Sequence, residues 1–414
     1  MAQSKIDASN GPLTGVKILD MTSVVLGPYA TQLLADMGAE TIKVETPVGD
    51  LMRTAGPSPH GDLGPIFLTL NRNKKSVVLD LTKEKAKEVF RKMIADCDIF
   101  MTNVRPDGLA RLGFTYDDMV KIKPDIIYVH AVGFGAGGAY AGRQAYDDLV
   151  QGASGIADLL PKTDKTEQPR FLPSIVADKA TGLHMMYATL AALFHHQRTG
   201  EGQFVEVPML EALVGFTLAE HFYGHAYDPP IGQWGYTRIL TPNRKPFKSK
   251  DGYIGIVPYT DKHWPLFFEI SGRPELWDAW RGASFEDRTK NIDKLYALIG
   301  EVTQEKTTQE WMTLLDEHDI PCMRINRLED LQQDPHLKDV KFFTRREHPT
   351  EGGYFTTAHP VNFTKTPAKF RLHPARKGAD AYEVLAKYGY SQADIDAMIE
   401  AKAVGKPPVD EPKK

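Results

Sequence analysis

The sequence has little of what would place it in several large classes of protein. Its 414 residues contain two cysteines, Cys97 and Cys322, and neither belongs to a Cys-x-x-Cys pair, which argues against a disulfide framework and a structural zinc site. No apolar run approaches the roughly 20 residues that span a bilayer, and the N-terminal MAQSKIDASNG lacks the apolar segment of a signal peptide. We therefore expect a cytoplasmic protein without a membrane partner.

Basic blocks and metal-binding motifs are missing as well. The formal net charge is −4 and no run of basic residues occurs, so nucleic acid is not an expected partner. The sequence has no His-Glu-x-x-His or comparable spacing of metal ligands, and no Gly-x-Ser-x-Gly elbow of a serine hydrolase. These absences predict chemistry that uses no metal.

What the sequence does contain is an alternation of strand and helix patterns. Five short apolar runs are typical of buried strands, and a long apolar helix over 179–197 leads to a sixth run, FVEVPM. The first five runs are 16–21, 41–45, 75–81, 98–103 and 125–132. Such an alternation predicts an α/β fold with parallel β-α units in a doubly wound sheet.

The composition changes near residue 225, where GHAYDPPIGQWGYTR is rich in glycine, proline and aromatic residues. An Asp-Gly turn at Asp251 then precedes an apolar strand pattern, as in a hairpin, and helical segments follow it. We predict a large domain over 10–225 that is completed by 346–402, a smaller α/β domain over 226–345, and a flexible tail over 403–414.

A glycine-rich stretch follows the fifth strand pattern. Gly133, Gly135 and Gly138 fit the Gly-x-Gly-x-x-Gly pattern of dinucleotide-binding proteins. That fingerprint requires a helix directly after the glycines, whereas AYAGRQAYDD follows here without an apolar helical period. The stretch therefore favours a loop that ends a strand, and we expect no nicotinamide or flavin cofactor. A nicotinamide dehydrogenase would depend on this incomplete motif alone.

Acidic residues stand at two predicted helix starts. Asp147 and Asp148 follow Tyr146, at a place where carboxylates commonly cap free backbone N–H groups. Asp178 lies directly before the long apolar helix, at an N-cap position where backbone N–H groups would keep the carboxylate ionised. The same position would present a nucleophilic carboxylate, so the pattern leaves both roles of Asp178 open.

Basic and polar residues cluster at 71–75 and at 103–111, next to predicted strands of one sheet. Each cluster has an ordinary interpretation as a solvated loop. Both could equally reach a phosphate-bearing ligand at the edge of the sheet, because loops at one sheet edge converge.

Together these stretches resemble the class III CoA-transferases, the family of formyl-CoA transferase and carnitine CoA-transferase. The resemblance extends over nearly the whole chain, and the order and spacing of its motifs carry it. The motifs include G15-V-K-I-L-D20, N71-R-N-K-K-S-V-V-L-D80, N103-V-R-P, Y146-D with Gln151, D178-K-A-T-G-L-H184, R198-T-G-E-G-Q203 and Y388-G-Y.

The resemblance implies a Rossmann-like large domain and a smaller α/β domain joined by long linkers, with two ring-like monomers interlocked in a homodimer. It implies that acyl-CoA and a small carboxylic acid are the substrates, and that Asp178 is the nucleophile. CoA would pass through a mixed anhydride and an aspartyl-CoA thioester. Tyr146 and Asp147 would line the site beside the thioester. The CoA nucleotide would be held by Leu79, Asn103, Val104, Arg105 and Arg111, together with Tyr146 and Asp147.

Two alternatives within the same fold remain open. The α-methylacyl-CoA racemases keep an aspartate like Asp178 but have a histidine at the position of Tyr146. Because tyrosine, with a reference pKa near ~10, is a poor substitute for that acid–base group, the sequence favours a transferase. A non-catalytic CoA-binding subunit of a heteromeric transferase is the other alternative, against which the presence of Asp178 and Tyr146 argues. The glycine run that closes over formyl-CoA transferase is matched by 229–235, which has only isolated glycines, so the formyl–oxalyl substrate pair is not implied.

Overall fold

The chain forms two compact units in the computed structural model, which describes residues 10–409. Within this part of the chain, the first unit comprises 10–154, 173–216 and 341–409, and the second comprises 155–172 and 217–340. The chain therefore leaves the first unit twice and returns to it for its last segment.

These boundaries differ in part from those expected from composition. Residues 155–172 and 217–225 pack with the second unit, and 341–345 pack with the first. The segment 155–172 is polar and follows a helix start, so nothing in its composition separates it from the large domain.

A parallel sheet of six strands forms the centre of the first unit, in the order β3-β2-β1-β4-β5-β6. The strands are β1 Lys17–Met21, β2 Glu40–Glu45, β3 Lys74–Val78, β4 Ile99–Thr102, β5 Ile127–Val132 and β6 Gln203–Pro208. The predicted runs are confirmed as these strands. Most of their residues are buried, as expected for a parallel sheet that is covered on both faces.

Helices connect these strands, and an antiparallel pair of strands follows near the end of the unit. The bounds are α1 Leu26–Asp36, α2 Pro65–Leu70, α3 Glu84–Asp96, α4 Pro106–Leu112, α5 Tyr116–Met119, α6 Asp147–Ala153, α8 Val176–Thr199, α9 Met209–His221, β10 Phe343–His348, β11 Gly352–Thr357, α15 Ala381–Lys387 and α16 Gln392–Glu400. The α8 helix begins three residues before the predicted start, which changes the surroundings of Asp178. Ser391 and Asp394 form a capping box at the start of α16.

The last segment of the chain completes the core of the first unit. Val384 and Leu385 of α15 pack in the same buried cluster as Val77 of β3. Val404 is 1% exposed and forms a β-bridge with Leu79, and the amide of Asp80 donates to the carbonyl of Ala403 (3.0 Å). The prediction of a flexible tail from residue 403 is therefore wrong for its first residues, because their apolar side chains are buried. Residues 410–414 of that prediction lie outside the described part of the chain.

The second unit contains a small antiparallel sheet and several helices. The hairpin predicted around Asp251 is confirmed, since Phe247–Lys248 pairs antiparallel with Tyr253–Ile256. Its elements are α7 Leu159–Asp164, β7 Phe247–Lys248, β8 Tyr253–Ile256, α10 His263–Ile270, α11 Phe285–Lys290, α12 Ile292–Val302, α13 Thr308–Asp316, β9 Cys322–Arg324 and α14 Pro335–Asp339.

The helical segment that follows α10 is divided into α11 and α12 at Asn291. The side-chain amide of Asn291 donates to the carbonyl of Asp287 (3.0 Å), and its φ of −111° departs from the helical value. Asparagine often ends a helix in this way, because its side chain competes with the backbone for hydrogen bonds.

Candidate active site

The strand order defines one edge of the sheet where loops diverge. The chain builds outward from β1 through β2 to β3 on one side, and from β4 through β5 to β6 on the other. The carboxyl ends of β1 and β4 therefore form a switch point, where ligands of open α/β sheets bind. The loop 22–25 after β1 and the loop 103–105 after β4 flank this point.

Asn103 joins these two loops through both ends of its side-chain amide. Its Oδ1 accepts from the backbone N–H of Ser23 (2.9 Å), and its Nδ2 donates to the carbonyl of Ser23 (2.9 Å). The side-chain amide thus makes the two hydrogen bonds to Ser23 that the backbone of a neighbouring strand would make. Asn103, predicted as a nucleotide contact, lies at the expected edge, and its side chain fixes the loop after β1.

Val24 in the same loop has a left-handed backbone conformation, with φ of 70°. A β-branched residue is rarely found there, and such strain costs on the order of 1–3 kcal/mol. The carboxylate of Asp50 accepts from the amide of Val24 (3.1 and 3.3 Å) and is paired with the buried ammonium group of Lys43 (3.0 Å). Surrounding groups therefore hold the loop in a strained shape before any ligand binds.

The other predicted nucleotide contacts are two exposed arginines and two apolar residues. Arg105 and Arg111 lie at the start and in the last turn of α4 and are exposed, so both guanidinium groups can reach a phosphate. The carbonyl of Val104 is bonded to Nε2 of His130 (2.7 Å). The side chain of Leu79 is 1% exposed and belongs to the core of the first unit.

Asp147 and Asp178 are brought together by the packing of α6 against α8. Oδ1 of Asp147 accepts from the backbone N–H of Asp178 (3.0 Å). The Asp147 side chain is buried, whereas that of Asp178 is partly exposed. The structure therefore places two of the three predicted catalytic residues in direct contact.

Asp178 lies in the first turn of α8, at its third residue, and the N-cap position is occupied by Ile175. The prediction that Asp178 is an N-cap held ionised by backbone N–H groups is therefore wrong. Burial, and next the negative charge of Asp147, raise the pKa of Asp178 to about 7. A carboxyl group with such a pKa is protonated far more readily than an ordinary aspartate.

Gln151 received no role from sequence reasoning, although the structure places it in the same corner. Its fully buried amide donates to Oδ2 of Asp147 (2.6 Å) and to the carbonyl of Ser174 (3.1 Å). Gln151 is four residues after Asp147 on α6, a spacing at which side chains of one helix meet. This spacing is the feature of the sequence from which a contact between Gln151 and Asp147 could have been predicted.

Tyr146 directly precedes α6 and has an extended backbone, with φ of −138° and ψ of 158°. Its side chain is 66% exposed, so the phenol is accessible to a ligand. Tyr146 thus lies next to the Asp147 carboxylate in sequence but on an open surface.

The glycine loop after β5 already has its amides occupied. The backbone N–H of Gly135 donates to Oε1 of Glu211 (3.0 Å), and that of Ala136 donates to Oε1 of Glu206 (3.1 Å). Two carboxylates at these amides would repel a pyrophosphate. This arrangement agrees with the prediction that the stretch is a strand-ending loop.

Residues 10–409 contain neither a candidate membrane span nor a candidate metal cluster. None of the helices there is both long and apolar enough to cross a bilayer. In the same range, no three His, Cys, Asp or Glu side chains are grouped so that they could hold a metal ion.

Residues 13–381 match the family described as CoA-transferase family III. The chain belongs to this family of enzymes, as the resemblance in its motifs predicted.

Relatives with described activities extend over most of the chain. It is 31% identical over 370 residues to human succinyl-CoA:glutarate CoA-transferase, with 88% of this chain and 82% of the relative covered. It is 29% identical over 421 residues to formyl-CoA:oxalate CoA-transferase of Rhodopseudomonas palustris, with 95% and 98% covered.

Solved structures agree with this assignment. Rv3272 of Mycobacterium tuberculosis superimposes with a TM-score of 0.78 at 29% identity, covering 90% of this chain and 98% of that one. A CAIB/BAIF family protein from Brucella suis has a TM-score of 0.78 at 28% identity, covering 91% and 99%.

Proposed function

We propose that the protein transfers CoA from an acyl-CoA donor to a small carboxylic acid, with the Asp178 carboxylate as nucleophile. The observation that carries this proposal is the contact of Asp178 with Asp147 in a chain of CoA-transferase family III. A partly buried carboxylate with a raised pKa is poorly solvated, which makes it more reactive toward a thioester than an ordinary surface aspartate.

The reaction follows from the chemistry of a carboxylate nucleophile. Asp178 attacks the thioester carbonyl, the carbon–sulfur bond breaks, and a mixed anhydride and CoA thiolate result. The thiolate attacks the aspartyl carbonyl, which gives an aspartyl-CoA thioester and releases the donor acid. The acceptor carboxylate attacks this thioester to form a second anhydride, and the thiolate then takes its acyl group. Asp178 is regenerated, and no nucleotide is consumed because the acyl groups stay activated throughout.

Two features of the fold support this chemistry. Asp178 lies in the first turn of the 24-residue helix α8, whose positive end favours negative charge that develops nearby. Tyr146 and Asp147 adjoin this turn and would line the thioester. They can do so because the first is exposed and the second contacts Asp178.

The switch point between β1 and β4 is the proposed site of the CoA nucleotide. Arg105 and Arg111 would bind its phosphates, since both are exposed on α4. Asn103 and Val104 would supply the wall beside them, and Leu79 would support that wall from the core. A homodimer, as the family resemblance implies, belongs to the same proposal.

The substrates are proposed by class. The relatives are named for succinyl-CoA or formyl-CoA as donors and for glutarate or oxalate as acceptors. We propose a short acyl-CoA donor and a small carboxylic acid acceptor for this chain, the acceptor carrying one carboxylate that reacts.

An acceptor screen with hydroxylamine trapping tests the proposal. The purified full chain is incubated with succinyl-CoA or formyl-CoA and a panel that includes glutarate and oxalate, and product CoA esters are separated by chromatography. In wild type, hydroxylamine should convert Asp178 to a hydroxamate, which peptide mass spectrometry locates. Asp178→Asn should lose transfer and labelling, whereas Asp148→Asn, at an exposed neighbour of Asp147, should keep both. Transfer at the wild-type rate in Asp178→Asn would refute the mechanism.

A further inference from the structure

A buried glutamine connects helix α6, which carries Asp147, to the start of helix α8, which carries Asp178. Gln151 on α6 is 0% exposed, and one N–H of its amide donates to Oδ2 of Asp147 (2.6 Å). The same nitrogen donates to the carbonyl of Ser174 (3.1 Å), two residues before α8 begins. Gln151 therefore links the Asp147 side chain to the turn that leads into the helix of Asp178.

Each of the two carboxylate oxygens of Asp147 accepts a hydrogen bond from a different residue. Oδ2 accepts from Gln151, while Oδ1 accepts from the amide of Asp178 (3.0 Å). A carboxylate that is bound at only one oxygen can rotate about its terminal torsion, which is broad and roughly two-fold. With both oxygens bound, its orientation toward Asp178 is fixed.

We propose that Gln151 is a positioning residue of the transfer reaction, which holds the Asp147 carboxylate against the backbone of Asp178 and so sets the place of the nucleophile. This proposal rests on the proposed function. Gln151 is buried and touches neither substrate in this role; it acts through Asp147.

The charged surroundings of Asp178 make this role measurable. α6 supplies Asp147, which is the charged group that raises the pKa of Asp178 after burial. On α8 itself, the ammonium group of Lys179 is bound to Oγ of Ser174 (2.6 Å), and from α1 the Tyr29 ring lies against Gly182, one turn beyond Asp178. Releasing Asp147 would therefore change the main charge that acts on the nucleophile.

Gln151→Met tests the proposal, because it keeps the length of the side chain and removes both N–H donors. With succinyl-CoA and glutarate as probes, kcat should fall on the order of 10- to 100-fold, as expected when a reacting group is misplaced. KM for succinyl-CoA should stay within about twofold of wild type, since Gln151 does not contact the donor. The acidic limb of the kcat profile should move to lower pH, because the Asp147 charge is no longer fixed beside Asp178.

Gln32→Met is the matched control, as it removes another buried glutamine amide, on α1. It should change neither kcat nor the pH profile. A wild-type kcat in Gln151→Met, or a lower kcat with an unmoved acidic limb, would overturn the proposal, since the second result indicates a merely structural loss.

A double-mutant cycle separates a role through Asp147 from an independent loss of structure. If Gln151 acts through Asp147, then adding Gln151→Met to Asp147→Asn should lower kcat by less than about twofold, and additive losses would contradict the proposal. A different result would refute the proposed function itself: no hydroxylamine labelling of Asp178 in wild type with any donor in the screen.

Discussion

The backbone N–H of Asp178 donates a hydrogen bond to Oδ1 of Asp147 (3.0 Å), so the Asp147 carboxylate holds the main chain at Asp178. The same neighbour opposes the ionisation of Asp178 through its negative charge. Asp147 therefore fixes the position of the proposed nucleophile and, after burial, also contributes to its raised pKa. This relationship gives two predictions that depend on pH.

The first concerns activity. Asp178 must be a carboxylate to attack a thioester, and its pKa is raised to about 7. We expect kcat/KM to fall tenfold per pH unit well below about pH 7, and to be level above it. Stopped assays of CoA ester exchange from pH 5 to 9 measure this. A fall in kcat/KM with its midpoint near pH 4, as for an ordinary aspartate, would contradict the assignment of Asp178 as the nucleophile.

The second concerns stability. An acid whose pKa is higher in the folded than in the unfolded state loses stability as pH rises between the two values, because the folded protein binds the proton more tightly. For Asp178 this window runs from its ordinary value of 3.8 to about 7. Asp178→Asn should therefore raise Tm relative to wild type above about pH 7, with the difference vanishing near pH 4. Thermal unfolding of both proteins at pH 4 and pH 8 measures the change, and an equal Tm at pH 8 would refute it.

The third prediction concerns the loop after β1. Asn103→Asp keeps the shape of the side chain but replaces the donor to the carbonyl of Ser23 with an acceptor. The free energy of unfolding should fall by about 1–3 kcal/mol, since a partly buried carbonyl loses its partner. KM for the acyl-CoA donor should rise as well, because the strained loop at Val24 is released. Urea unfolding and initial rates measure both, with Asn362→Asp at an exposed asparagine as control.

The fourth prediction compares two glycines of the loop after β5. A Cβ added at Gly133 would lie 2.2 Å from Cβ of Ala145, next to Tyr146, whereas a Cβ at Gly137 would meet no atom within 4 Å. Gly133→Ala should displace the segment that leads to Tyr146 and lower kcat, while Gly137→Ala should retain wild-type activity. Equal activity of the two variants would show that the close approach at Gly133 does not position the site.

The sheet was largely predictable because its strands are continuous apolar runs. β1, β2, β4 and β5 begin within two residues of the predicted positions. The hairpin β10–β11 escaped prediction, since residues such as Arg345, Arg346 and Glu347 give it no apolar pattern. Local pattern signals a strand only where one of its faces is buried.

The sequence pointed to residues of the candidate site but not to their electrostatics. Resemblance selected Asp178, Tyr146 and Asp147, but local spacing suggested an ionised N-cap at Asp178. Its raised pKa depends on burial and on Asp147, thirty-one residues away in sequence. Contacts of this kind come from the packing of α6 on α8, which no local pattern contains.

The closure of the first core by residues from α15 onward has a consequence for synthesis of the chain. β1 to β5 emerge from the ribosome before the second unit, yet Val384, Leu385 and Met398, which fill the core beside Val77 and Phe90, emerge after it. A nascent chain carries this apolar surface uncovered until α15 and α16 have been synthesised. The unit that bears Asp147 and Asp178 is thus begun before the second unit and completed after it.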